Sequence, residues 1–323
     1  MAAHQLSREP YRRDGRSSGT DDGIALVVVL WFLLILSIMA AGFVATTQTD
    51  TRIARNHVEN ARARALADAG VHLALYNLLQ PQEQGPPPVD GTIRVYDIVG
   101  ARILVAVQSE RGKIDLNTAQ PEILKRLFES VGATPDGSDA LVAAIEDWRD
   151  PDDLVRVNGA ENKDYLAAGL AAGAKNAPFD TVEELQQVKG VTPELYRRVA
   201  PALTVYSRSS RIDTAVAPPE ALRAMSGLTE QDIQRLLSER EGAENEDREE
   251  GQTGPGARRT RGTFMIRALA QTPRGAIFVR EAVAYLTGNR DEPFLFYAWR
   301  EGARSFFEAA EQAPREVRDT GMR

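Results

Sequence analysis

No cysteine occurs among the 323 residues, which excludes disulfides, thiolate metal sites and cysteine nucleophiles. Histidine is scarce as well: His4, His57 and His72 are the whole supply. A triad or a histidine-based acid–base centre would have to be built from these three, which leaves little room for that chemistry. Positive charge is in deficit, with a net charge of −7. Nucleic-acid affinity rests largely on Lys and Arg, so phosphate binding is disfavoured as the dominant role. Proline is missing between Gly23 and Pro81, and charge is missing from Ile24 to Thr47.

What stands in that uncharged space is "IALVVVLWFLLILSIMAAGFVATT". At about 1.5 Å per helical residue such a run reaches the ~30 Å of a bilayer core. A secretory signal peptide has a shorter apolar region closed by a small-x-small site. Here the following segment, "QTDTRIARNHVENARARALADAGVHLALYNLL", keeps helical spacing. Ala61, Leu66, Ala69, Leu73 and Leu75 to Leu79 take one face, while Arg52, Arg55, Arg62, Arg64 and Asp68 take the other. The pattern predicts one N-terminal helix over 24–80, with its membrane part at about 24–47 and an amphipathic remainder. Arg8, Arg12, Arg13 and Arg16 precede the span and four arginines follow it, so the charges indicate no clear inside.

"PQEQGPPPVDG" (81–91) then breaks the helix. "TIRVYDIVG" and "RILVAVQSERGKIDLN" alternate apolar and polar residues and predict an antiparallel hairpin turning at Gly100-Ala101. From 115 to 205 the pattern is helical. "NTAQPEILKRLFESVG" has Thr118 as candidate cap, Pro121 in the first turn and Gly132 as stop. "DALVAAIEDWRD", "FDTVEELQQVKGV" and "TPELYRRVAPALTVY" predict three more helices, the last two opened by Asp180 or Thr181 and by Thr192-Pro193-Glu194. "KIDLNTAQPEILK" (113–125) is echoed 98 residues later by "RIDTAVAPPEALR" (211–223), through structural repetition or through shared capping chemistry. "SEREGAENEDREEGQTGPGARRTRG" (238–262) reads as a charged mobile loop. "TFMIRALAQ", "AIFVREAVAYL" and "FLFYAWREG" read as strands, and 301–323 as a flexible tail. The fold class expected is α+β: a sheet built from 92–114 and 206–300, interrupted by a large inserted helical domain over 115–205.

Chemistry concentrates in "EDWRDPDDLVRVNGAENKDY" (146–165). Asp147, Asp150, Asp152, Asp153, Glu161 and Asp164 crowd a segment carrying Pro151 and Gly159. Hard oxygen ligands on irregular backbone suit Ca²⁺, although the spacing is not that of an EF-hand. The plain alternative is a solvated acidic loop between two helices. Asp115 and Asp213 could be offered as a hydrolytic pair, but both sit where a strand passes into a helix, which favours a capping role. The aromatics Phe294, Phe296, Tyr297 and Trp299 suit a sheet core or a subunit contact better than a ligand box. "LQQVKGVTPELYRRV" resembles a helix-hairpin-helix, whose loop and helix N-terminus present backbone N–H groups to a phosphate. Glu183, Glu184 and Glu194 around it oppose that use, against Lys189, Arg197 and Arg198.

A basic leader, a glycine, then an apolar helix running straight into an amphipathic half resembles a type IV prepilin or a type II secretion pseudopilin. The resemblance implies a leader over 1–23, cleavage between Gly23 and Ile24 by a prepilin peptidase, and methylation of the new N-terminus. The leader ends Asp21-Asp22-Gly23 where the family usually has a basic residue before the glycine. Val28 stands at the fifth position after the cut, where most pilins carry a Glu that pairs with a neighbour's terminal amine. A carboxylate in lipid is costly unless paired. A subunit without it resembles the K-type minor pseudopilin that caps the pseudopilus tip. "DWRDPDD…NGAENKDY" resembles the K-type motif, with "KIDLNTA" and "FDTVEELQQVKGV" as flanking segments in the family order, so the likeness runs from Gly23 to about 300.

In that family the inserted helical domain binds calcium, which implies Asp150, Asp152, Asp153, Glu161 and Asp164 as ligands. Asn162-Lys163 replaces more acidic residues there, which would weaken the site or reduce it to one ion. The resemblance further implies an assembly component rather than an enzyme. It would span the bacterial inner membrane once, with the C-terminal domain in the periplasm. Its partners would be other minor pseudopilins, the inner-membrane secretion platform and the peptidase. The alternative is a membrane-anchored helix-hairpin-helix protein of DNA binding or uptake.

Overall fold

The computed structural model describes residues 21–80, 87–169, 173–250, 261–312 and 317–318, without the side chains of 21–24, 44–50, 241–250, 309–312 and 317–318. Most of the expected leader, residues 81–86 of the break, 251–260 of the charged loop, and most of the tail beyond 312 lie outside the described residues.

Helix α1 (Asp21–Leu79) carries no proline to interrupt it. In its first part, up to Val58, the side chains from Ala25 to Phe43 are all exposed. That 19-residue stretch is long and apolar enough to cross a membrane.

From Glu59 onward the chain forms a second compact unit. Here α1 buries Ala63, Ala67, Val71, Ala74, Leu75 and Leu78, spaced three or four residues apart as one helical face requires. Small residues bring this face close to the sheet beneath it. A Cβ added to Gly70 would stand 2.9 Å from Ala268 Cβ and 3.0 Å from Ile103 Cγ2.

The sheet contains β1 (Asp90–Ile98), β2 (Ala101–Ser109), β5 (Gly262–Gln271), β6 (Ile277–Leu286), β7 (Phe294–Glu301) and the short β8 (Val317–Arg318). Their order is β7-β6-β5-β2-β1-β8, antiparallel except for the β1–β8 pair. The hairpin turns at Val99 and Gly100, both with positive φ (52° and 72°), as a two-residue primed turn demands. The expected turn was one residue later, but Ala101 is already buried in β2. Ile103, Val105, Ile266, Ala268, Ala282 and Ala284 pack under α1. Leu104, Val95 and Val279 face the other way and are covered by Phe307 of α8 (Ser305–Gln312). The flexible tail expected from 301 is therefore corrected over this helix: Phe306 and Phe307 have an apolar face of the sheet to bury against, which their own segment does not reveal.

β2 and β5 pair directly, with Ile103 opposite Ala270 and Val107 opposite Ile266. Everything between them in sequence is an excursion from two neighbouring strands. It contains α2 (Pro121–Ser130), α3 (Pro135–Arg149), α4 (Asn162–Ala167), α5 (Pro193–Val199), α6 (Pro219–Arg223) and α7 (Glu230–Glu250). The two-residue strands β3 (Ile114–Asp115) and β4 (Leu203–Thr204) pair in parallel, β3 where the excursion leaves the sheet and β4 before α6 and α7. One core unites it: Leu116, Leu124, Leu127, Phe128, Ile145 and Trp148, continuing past Val205 through Ala221, Leu222 and Ile233.

Local details correct the sequence expectations. Gln120, not Thr118, precedes α2, because Thr118 and Ala119 complete a turn on the Asp115 carbonyl. α3 starts at Pro135, with Thr134 accepting the Gly137 N–H at 3.2 Å, four residues before the apolar pattern begins. The helix expected over "FDTVEELQQVKGV" is a 3-10 segment, Val182–Gln187, while α4 was not anticipated. The charged stretch begins inside α7, which stays helical through Glu250; its Glu, Arg and Ala residues are strong helix formers even without an apolar stripe.

The echoed segments share a local fold. Asp115 Oδ1 accepts the Asn117 N–H at 2.9 Å, and Asp213 Oδ1 accepts the Ala215 N–H at 3.2 Å. Each turn then leads to a helix with proline in its first turn.

A charge network joins the excursion to the sheet. Buried Glu281 on β6 accepts from Arg267 Nε and Arg300 Nε, both at 2.8 Å, and Arg300 Nη1 reaches Glu183 at 3.0 Å. Burial pushes the Glu281 carboxyl up, but Arg267 and Arg300 outweigh it and hold the group below its ordinary value. A depressed folded pKa contributes stability above the unfolded carboxylate value of about 4.3 and loses it as pH falls through the folded value. Glu281→Gln is therefore expected to cost about 1–3 kcal/mol at neutral pH. The gap to wild type should close in strong acid, as read by thermal melting at pH 7 and pH 3.

Candidate functional site

The acidic segment is organised around Asp147, near the end of α3. Its side chain is 0% exposed. It accepts the Ala160 N–H at 2.9 Å, the Arg156 N–H at 3.2 Å and Arg156 Nη1 at 3.0 Å. These three donors fold residues 151–160 back over the helix end. Gly159 is part of that fit: a Cβ there would stand 2.0 Å from Asp147 Oδ2. Asn158, with φ 66°, supplies a left-handed turn that Asn tolerates.

An aromatic floor supports the loop. Trp148 stacks on Phe179, with ring centroids 6.1 Å apart, and meets Tyr165 of α4 at 5.9 Å. The Tyr165 hydroxyl accepts the Lys189 N–H at 3.1 Å. Asn117 and the Phe179 backbone exchange two hydrogen bonds, at 2.9 and 2.7 Å. Arg149 donates to the Leu116 and Ala119 carbonyls, so the end of α3 is tied to the start of α2.

The five proposed metal ligands fall into different situations. Asp150 binds Arg156 through Oδ2, and its buried Oδ1 has no hydrogen-bond partner. Asp153 accepts from Asn162 Nδ2 at 3.1 Å and Asn176 Nδ2 at 2.9 Å. Glu161 is 5% exposed, and no hydrogen bond reaches either of its carboxylate oxygens. Asp152 is exposed and accepts the Leu154 N–H at 2.9 Å. Asp164 accepts the Glu161 N–H at 3.0 Å and so caps α4.

Burial, then the charges of Asp147, Asp150 and Asp153, push the Glu161 carboxyl above its ordinary value. Asn176 Oδ1 is another buried acceptor without a donor. Among the described residues, no group of three or more His, Asp or Glu side chains stands close enough together to hold a metal ion. The unpaired carboxylate and amide atoms are oxygens, which a hard cation can satisfy, while the indole Nε1 of Trp148 in the aromatic floor is a buried donor that is also unpaired. A cleft of about 230 Å³ opens beside Asp150, lined also by Asn117, Glu146, Arg149, Arg156 and Pro178, and does not include Glu161 or Asn176. Sequence reasoning passed over Arg156 and Asn176. Asn176 joins the loop from about 25 positions away, a proximity that spacing within 146–165 could not reveal.

The remaining candidates are structural where they can be seen. Asp115 is buried and accepts from Asn117 N–H, Ser207 Oγ and Arg208 N–H, all turn contacts. Arg197 and Arg198 on the hairpin both bind Glu194, at 2.5 and 3.1 Å, which offsets part of their charge. Phe296, Tyr297 and Trp299 stand exposed on the edge strand β7 rather than in the core. Gly23 and Ile24 lie within the first turns of α1, and the side chain of Ile24 lies outside the described residues.

Gly159→Ala should force the buried Asp147 carboxylate from its donors. The expected loss is about 1–3 kcal/mol, seen as a lower melting temperature, with greater protease sensitivity of 151–160.

A family model for type II secretion system protein K matches residues 103–208, and one for the PilX N-terminal region matches 22–72. The chain is 28% identical over 219 residues to type II secretion system protein K of Pectobacterium carotovorum, covering 59% of this chain and 66% of that one. It is 28% identical to the Klebsiella pneumoniae protein of the same name (55% and 61% covered), and 25% identical to that of Pseudomonas aeruginosa (70% and 75%). The chain thus spans about two thirds of the length of the first two relatives. A crystal structure of the GspK-GspI-GspJ complex from the enterotoxigenic Escherichia coli type 2 secretion system aligns with a TM-score of 0.48 at 16% identity, over 80% of this chain and 99% of that one.

Proposed function

Because this chain belongs to the type II secretion system protein K family, we propose that it is a minor pseudopilin that caps the tip of a periplasmic pseudopilus. The observation that carries this reading is the uncovered apolar stretch Ala25–Phe43. Held in the bacterial inner membrane it serves as a single-pass tether. On assembly it exchanges lipid contacts for the apolar helices of other minor pseudopilins. In lipid such association rests on close packing, which Ala40, Ala41 and Gly42 favour. Val28 leaves no carboxylate seeking the amine of a subunit above it, as suits a topmost position.

Processing between Gly23 and Ile24 would free the helix N-terminus for this exchange. Mass spectrometry of the membrane-extracted protein should find a mature N-terminus at Ile24, methylated. Gly23→Val should leave the precursor uncut and abolish secretion by a strain that depends on this chain. An intact Met1 in a secretion-competent strain would refute the processing step.

The head is proposed to bind Ca²⁺ through Asp150, Asp153 and Glu161 with the Asn176 carbonyl oxygen, and Asp152 and Asp164 close by in the same segment. The ion would neutralise carboxylates whose repulsion otherwise loosens the loop. Calcium should raise the melting temperature of chelator-treated protein by several degrees, and Glu161→Gln should remove most of that gain. An unchanged melting temperature in wild type at millimolar calcium would sink this part of the proposal.

A further inference from the structure

One side chain already does a cation's work in the acidic segment. The guanidinium of Arg156 reaches Glu146 Oε2 at 3.3 Å, Asp147 Oδ1 at 3.0 Å and Asp150 Oδ2. We propose that Arg156 is a built-in counter-cation that holds the acidic loop together in the ion-free protein and sets its divalent-ion affinity by competing for Asp150. The inference rests on the calcium reading above.

The two ends of the cluster differ in a way that points to competition. Asp147 and Asp150 Oδ2 are satisfied by Arg156. Asp150 Oδ1, Glu161 Oε1 and Oε2, and Asn176 Oδ1 have no donor. Asp150 belongs to both sets, with one oxygen on the arginine and the other unpaired. Calcium takes six to eight oxygens and often binds a carboxylate through both, so the ion and Arg156 make rival claims on Asp150. A guanidinium keeps its charge at any ordinary pH, so it also repels a divalent ion placed beside it. Among the described residues no three of these carboxylates form a metal-holding group, and Arg156 Nη1 bridges Asp147 and Asp150.

Arg156 is built to let go. Its side chain is 42% exposed, so it can swing into water without leaving a hole in the core. Its backbone N–H stays on Asp147, so the loop need not unfold when the guanidinium leaves. Asp147 keeps the Ala160 N–H as well, and a fully buried carboxylate still has two donors after the exchange. A guanidinium merely decorating the surface would touch exposed carboxylates, whereas Asp147 is wholly buried.

The test uses the full chain in detergent, stripped with chelator and titrated with calcium chloride by calorimetry, with thermal melting alongside. Arg156→Met keeps the aliphatic stem and removes the charge. Arg156→Lys keeps the charge but loses the fork that spans three carboxylates. Arg235→Met on α7 serves as a control away from the loop. Arg156→Met should melt lower than wild type in chelator, bind calcium at least tenfold tighter, and gain more melting temperature on binding. Arg156→Lys should fall between the two, and it carries the test alone if the Met variant does not fold. Binding by the variant but not by wild type would show that Arg156 blocks the site, and would overturn the reading that the unaltered chain holds calcium. If wild type binds calcium and neither variant binds it more tightly, the competition is overturned while the calcium reading stands. If neither wild type nor variant binds, both are overturned together.

Discussion

A carboxylate can be buried only if donors replace the water it loses. Asp147 meets that condition with two backbone N–H groups and a guanidinium, and the geometry of the acidic segment follows from it. The loop must return over the end of α3 to deliver the Arg156 and Ala160 N–H groups. Gly159 must lack a side chain, because Asp147 occupies that space. Glu161 is then carried inside with no donor left for it, flanked by three other carboxylates. A segment that is only a run of acidic residues in the sequence becomes, through one buried group, a set of inward-facing oxygens, several of them without a donor.

The sheet answers a different constraint. α1 must approach within a methyl group of the strands, so small residues line both sides: Gly70 and Ala74 on the helix, Ala268 and Ala282 below. The excursion between β2 and β5 can then be large without disturbing the sheet, because those two strands pair along their whole length. It is anchored by the short β3–β4 pair at its exit and by the Glu183–Arg300–Glu281 bridge at its flank. Unlike the surface pairs on α5, this bridge ends on a buried carboxylate, which is why it matters to stability.

The local elements differed in how openly they declared themselves. Residues 24–80 could be read as one helix because no proline interrupts them, but the buried face was misplaced: Ala61 and Ala69, expected inside, are exposed, and Ala63, Ala67 and Val71 are buried instead. β5 and β6 announced themselves by alternation and the Thr272–Gly275 turn. α4 did not, since six residues opened by Glu161 and capped by Asp164 have too little periodicity to register. Nor did α8, whose Phe306 and Phe307 make sense only against the far face of the sheet. The charged stretch misled in the other direction: lack of apolar residues suggested a loop, but high helix propensity carries α7 through Glu250.

Sequence by itself determined the chemistry present and its order along the chain. No thiol and few histidines were available, one segment was apolar enough for a membrane, and carboxylates clustered at 146–165. These are properties of single residues and short spacings, and folding cannot alter them. Tertiary structure alone decided what each carboxylate does. Asp152 and Asp164 became turn and helix caps, Asp147 a buried anchor, and Glu161 a buried carboxyl without a hydrogen-bond partner. The reason is physical: a carboxylate's role depends on the donors and water that surround it, and those arrive from α3, α4 and the 3-10 region only when the chain packs.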